Sequence, residues 1–67
     1  MDDLLIEIGR RLKQARKERG LTVRRLGELA QLDYGHISRM ENGQMDFHIS
    51  TIKKIADVLE YDLRSFF

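Results

Sequence analysis

Leu21 to Gly43, LTVRRLGELAQLDYGHISRMENG, is the stretch that decides the fold. It reads as two short helices, 23–30 and 34–42, joined by a turn of two or three residues. Thr22 and Asp33 each stand just before a helical run, where a short side-chain oxygen can accept a free backbone N–H. Leu26, Leu29 and Ala30 supply the apolar positions of the first helix, and Ile37 and Met40 the inner face of the second. Asn42-Gly43 ends the pair. Two helices on a tight turn suggest a helix-turn-helix, although generic helical hairpins share that spacing.

The rest of the chain is punctuated in the same way. Leu5, Ile8, Leu12 and Ala15 recur at helical spacing upstream, with Arg10, Arg11, Lys13, Lys17 and Glu18 on the other face. Gly20, preceded by Lys17 and Arg19, suits a helix C-terminus. After a connector of about five residues, a fourth helix begins near His48 to Ser50, with Ile52, Ile55, Ala56 and Leu59 as its core stripe. Asp62 caps a short last helix holding Leu63, Phe66 and Phe67. The expectation is an all-α chain of five short helices forming one domain over residues 1–67.

Composition narrows the function. There is no cysteine, hence no disulfide and no thiolate metal site. His36 and His48 are too far apart to be helix neighbours, which argues against zinc. No apolar run approaches the roughly 20 residues that span a bilayer. The acidic start MDDLLIEIG lacks the order of a signal peptide, so a cytoplasmic protein is expected. The net charge of +1 hides an asymmetry. Residues 1–31 carry eight Lys or Arg against five Asp or Glu, a surplus of +3, and residues 32–67 carry four against six, or −2. A basic face suits a polyanion, but the charges alone fit a solvated helix face as well. There is no Gly-rich phosphate loop and no metal-spaced cluster, so neither an enzyme nor a cofactor is expected.

Leu21-Thr22, Leu26, Leu32, the run Ile37-Ser38-Arg39-Met40-Glu41-Asn42-Gly43 and Ile55-Ala56-Asp57-Val58-Leu59 resemble the Cro/phage-repressor (XRE) helix-turn-helix family. The resemblance runs without a gap from about Ile8 to Phe67 and is most specific from Ile37 to Gly43. Leu32 to Ser38 also resembles the controller proteins of restriction–modification systems. The chain departs from the family pattern at four places. Val23 stands where a phosphate-touching glutamine is frequent, Gly27 where alanine is usual at the helix crossing, and Gln31 where the turn often has glycine. Arg24 and Arg25 stand where acidic residues are common. Gly27 keeps the size of the alanine it replaces, at about 1 kcal/mol of helix propensity, and Gln31 is mildly strained if its φ is positive.

The resemblance implies a lambda-repressor-like domain whose third helix enters the major groove of double-stranded DNA. Carried over position by position, Tyr34, Gly35 and Arg39 match base-facing positions, flanked by His36 and Ser38. Arg39 could donate twice to guanine, and Tyr34 could meet a thymine methyl or a phosphate. The plainer readings are that Arg39 pairs with Glu41 or Asp33 and that Tyr34 packs over the turn. Phosphate contacts are expected from Thr22, Val23, Arg24, Arg25, Asn42 and Gln44. The family also pairs an arginine late in the first helix with the glutamate ending the third, which here implies an Arg16–Glu41 ion pair.

The C-terminal helix is apolar for a free end. Val58, Tyr61, Leu63, Phe66 and Phe67 are the candidate homodimer interface, with the alternative that Leu63 and Phe66 close the core while Phe67 frays. A homodimer would set two recognition helices about 34 Å apart, on a palindromic operator. The expected function is a transcriptional regulator, repressor or activator. The alternative is an antitoxin-like module that binds a partner protein through its C-terminal helix.

Overall fold

The computed structural model describes residues 3–46 and 48–67; the first two residues of the acidic start and position 47 of the connector lie outside the described residues. Four helices follow in order: α1 (Asp3–Glu18), α2 (Val23–Ala30), α3 (Tyr34–Glu41) and α4 (Ile49–Leu59). A 3₁₀ turn, Leu63–Phe66, closes the order, and no strand occurs among the described residues. That turn replaces the fifth α-helix expected after Asp62. Its bonds span three residues, from Ser65 N–H to the Asp62 carbonyl at 2.8 Å and from Phe67 N–H to that of Arg64 at 3.2 Å. So short a segment closes tight bonds more readily than an α-helical ladder.

Local chemistry sets the helix ends. Thr22 Oγ1 accepts the Arg25 N–H at 3.0 Å, and Asp33 Oδ1 accepts the Gly35 N–H at 3.0 Å. Caps of this kind stabilise a helix by about 1 kcal/mol each. α2 stops at Gln31, which adopts the left-handed conformation, φ 58° and ψ 46°, and donates its N–H to the Gly27 carbonyl. The Leu32 N–H shares that carbonyl at 2.9 Å. Residues 31–33 are thus the whole turn, and a side chain at Gln31 costs about 1 kcal/mol there.

α3 packs on both α1 and α2, α2 also packs on α4, and the 3₁₀ turn lies against α1 and α4. Ile8, Leu12 and Ala15 enter the core from α1, Leu26 from α2, and Ile37 and Met40 from α3. Ile52, Ile55, Ala56 and Leu59 enter from α4, and Phe66 seals the end. Each large aliphatic side chain so buried contributes about 1.5–3 kcal/mol. Leu29 departs from the expected apolar face of α2 and is 43% exposed, because α2 turns Leu26, Gly27 and Ala30 inward instead.

Two glycines permit close approach. A Cβ on Gly9 would run into the Met40 carbonyl oxygen and lie 2.9 Å from that of Glu41, so α1 crosses the end of α3 closer than alanine would permit. A Cβ on Gly27 would lie 2.7 Å from the Leu32 carbonyl oxygen and 3.3 Å from Tyr34 Cβ. Gly27 is therefore smaller by necessity, rather than an equal-sized stand-in for alanine.

Candidate nucleic-acid interface

The two faces of α3 separate cleanly. Ile37 and Met40 are buried at 1% and 0% exposure, whereas Tyr34, its first residue, is 50% exposed and Arg39 is exposed. Gly35, His36 and Ser38 are half-buried. The Arg39 guanidinium folds back along the helix, with one Nη 3.7 Å from where a Cβ on Gly35 would sit. Neither plainer pairing for Arg39 forms: Glu41 is held by Arg16, and no ion pair to Asp33 occurs among the described residues.

The start of α2 lies beside this face. The Arg24 guanidinium sits over the Tyr34 ring, 5.3 Å from its centroid. Arg25 pairs with Glu28 at 3.2 Å, both well exposed. The Val23 side chain packs against the core, so it offers no side-chain contact to a phosphate. Thr22 is exposed, with its hydroxyl taken up by the Arg25 N–H. Past α3, Asn42 and Gln44 are exposed, and the Gln44 N–H donates to the Arg39 carbonyl at 2.9 Å. The fold also brings His36 and His48 to one shallow concavity with Met45, Asp46 and Thr51. No cluster of three or more metal-ligating side chains forms among the described residues.

The basic surplus of the first half is not spread over one face. Arg10 and Arg11 both donate to Glu7. Arg19 donates from Nε to the Leu59 carbonyl at 2.7 Å and lies over the Tyr61 ring at 4.8 Å. Arg16 is buried against Glu41, Nε to Oε2 at 2.7 Å and Nη2 to Oε1 at 3.1 Å, and its Nη1 donates to the Leu21 carbonyl at 2.7 Å. Arg11, which also donates to the Phe67 carbonyl, Arg16 and Arg19 thus bond beyond their own helix, while among the described residues Arg10 pairs only within α1 and lines a separate concavity there with Lys13 and Lys17. Arg24, Arg25 and Arg39 are the cations beside the exposed face of α3.

At the C-terminus, Phe66 is buried in its own chain at 1% exposure and cannot serve a partner; this corrects its place in the expected interface. The Tyr61 ring lies 5.9 Å from that of Phe66, and its hydroxyl donates to Glu18, which raises the phenol above its ordinary pKa. Val58, Tyr61 and Leu63 are half-buried against the core, and Phe67 is 52% exposed. Gly9, the Arg19–Tyr61 contact and the Arg24–Tyr34 stack have no signal within one helix, because each joins residues of different elements.

The Helix-turn-helix family model matches residues 12–66. The HTH-type transcriptional regulator PuuR of Escherichia coli (strain K12) is 36% identical over 67 residues. That match takes in all of this chain and 36% of PuuR, so the chain spans about a third of its relative's length. Among solved structures, the restriction-modification controller protein C.AhdI of Aeromonas hydrophila is similar with a TM-score of 0.91 at 32% identity, over 94% of this chain and 96% of that one. SinR, the master regulator for biofilm formation, solved in complex with DNA, is similar with a TM-score of 0.82 at 33% identity, over 88% and 95% of the two chains. Among the described residues no helix is long and apolar enough to cross a membrane.

Proposed function

The chain belongs to the XRE-type helix-turn-helix family of DNA-binding transcriptional regulators, and on that premise we propose that residues 1–67 form a single DNA-binding domain acting as a homodimer on a palindromic operator. The observation that carries this reading is the division of α3: Ile37 and Met40 are sealed in the core while Tyr34 and Arg39 are exposed. With α3 in the major groove, Arg39 donates to guanine O6 and N7. Tyr34, Gly35, His36 and Ser38 lie along the same groove wall. Thr22, Arg25, Asn42 and Gln44 meet the flanking phosphates, which fix register without reading sequence. Dimerisation through Phe67, Val58 and Leu63 sets two copies of α3 about one DNA turn apart. The alternative, a module devoted to a protein partner, would use the same C-terminal surface, and the burial of Phe66 narrows that surface for either reading.

A salt titration of binding to a selected duplex and to random duplexes tests the reading. The expected result is a steep salt slope with a specificity ratio of at least about 10³. Arg39→Ala relaxes base preference, while Arg25→Ala weakens all duplexes alike and lowers the salt slope by about one. Equal affinity for every duplex would refute it.

A further inference from the structure

Arg24 and Arg25 are neighbours on α2, yet their surroundings differ. Arg25 is answered by a carboxylate of its own helix, Glu28, at 3.2 Å. Arg24 forms no ion pair among the described residues and instead lies over an aromatic ring of the next helix, 5.3 Å from its centroid. The contact depends on how tightly α2 and α3 close. Tyr34 Cβ comes within 3.3 Å of the place where a Gly27 Cβ would stand, so the bare backbone of Gly27 leaves room for the ring beneath Arg24.

A phosphate is met well enough by a cation with no fixed orientation. An arginine resting on a ring presents its fork of donors beside whatever the ring touches. The ring here belongs to the first residue of α3 and is half exposed. A guanidinium fork matches guanine O6 and N7, and an apolar surface matches the C5-methyl of thymine. We infer that Arg24 and Tyr34 read adjacent base pairs as one unit, Arg24 taking guanine and Tyr34 the methyl of a neighbouring thymine. Arg24 is then a specificity residue rather than a phosphate anchor. The inference rests on the reading above, in which α3 enters the major groove.

The test is a double-mutant cycle on the selected operator, each of its single-base variants, and a version with deoxyuridine in place of each thymine. Arg24→Ala and Tyr34→Ser are each expected to weaken operator binding about tenfold or more and to flatten preference at the same one or two positions. The double variant falls little below the weaker single one, because the two side chains act together. Tyr34→Phe keeps the ring and retains the guanine preference, whereas Arg24→Lys keeps the charge and loses it. Removing one thymine methyl weakens the wild type several-fold and leaves Tyr34→Ser unaffected. Uniform weakening by Arg24→Ala, with every base preference intact, overturns the inference and leaves the groove reading standing. A wild-type protein that binds all duplexes alike removes both.

Discussion

Arg16 and Glu41 form a two-point ion pair in which both side chains are almost wholly buried, and Arg16 also holds the Leu21 carbonyl at 2.7 Å. One residue of α1 therefore grips the last residue of α3 and the residue just before Thr22, the two ends of the helix-turn-helix. Glu41→Ala would leave the guanidinium buried with two of its three hydrogen bonds gone, a loss of about 3–5 kcal/mol. At about 4–8 °C per kcal/mol for a chain of this size, the unfolding midpoint followed by circular dichroism should fall by more than about 10 °C. Arg16→Lys, which keeps charge but not the fork, should fall by less. A midpoint unchanged in Glu41→Ala would show that the pair contributes nothing.

The turn between α2 and α3 is set by two residues that resist the usual rules. Gly27→Ala should gain about 1 kcal/mol of helix propensity, yet its new methyl would press on the Leu32 carbonyl oxygen from 2.7 Å. Overpacking outweighs propensity here, and a net loss of about 1–2 kcal/mol is expected. Gln31→Gly should act oppositely, because φ at Gln31 is 58° and glycine adopts that conformation freely. A gain of up to about 0.5 kcal/mol remains after the greater freedom of glycine in the unfolded chain is counted. Urea midpoints at constant slope measure both. A higher midpoint for Gly27→Ala would contradict the close-packing account.

These two cases mark where the sequence is readable and where it is not. Thr22, Asp33 and Asp62 announce their turns because a cap acts on an N–H two or three residues away, within sight of any local pattern. Ile37 and Met40 announce the buried side of α3 because one helical period fixes both. Leu29 misleads because positions 26, 29 and 30 fit an apolar stripe as well as 26, 27 and 30 do, and only the closeness of α3 decides for Gly27. Counting charges cannot tell which arginines the fold itself consumes. Arg19 ends on the Leu59 carbonyl, and Arg24 ends on a ring ten residues along the chain. Both destinations belong to the tertiary arrangement.

Acid should loosen the C-terminal turn before it unfolds the rest. Side-chain hydrogen bonds from Arg64, and then its backbone N–H, hold the Asp62 carboxyl down to about 2. The folded value is depressed, so this stabilisation is fully present above the ordinary carboxylate pKa of about 4. It drains away as pH falls from there towards 2. Thermal midpoints of the wild type and Asp62→Asn should converge over that window, the gap at pH 5 being small because the pair is exposed. Glu7, also depressed by Arg10 and Arg11, titrates in both proteins, so the difference isolates Asp62. Curves that stay parallel from pH 5 to pH 2 would contradict the assignment.

The two terminal phenylalanines should divide stability from association. Phe66 is 1% exposed and packs on the Tyr61 ring, so Phe66→Ala should cost about 3–5 kcal/mol, whatever the state of assembly. Phe67 is 52% exposed, and its carbonyl rather than its ring accepts from Arg11 at 3.0 Å. Phe67→Ser should therefore leave the intrinsic stability of the fold nearly unchanged while shifting sedimentation at micromolar concentration from dimer towards monomer. Operator affinity should fall with it, because two half-sites are gripped only when two copies of α3 are joined. Spreading the half-sites by about five base pairs, half a DNA turn, should weaken wild-type binding just as Phe67→Ser does, by setting the copies on opposite faces of the duplex. A wild type that sediments only as monomer, or binds the spread operator undiminished, would refute the dimer.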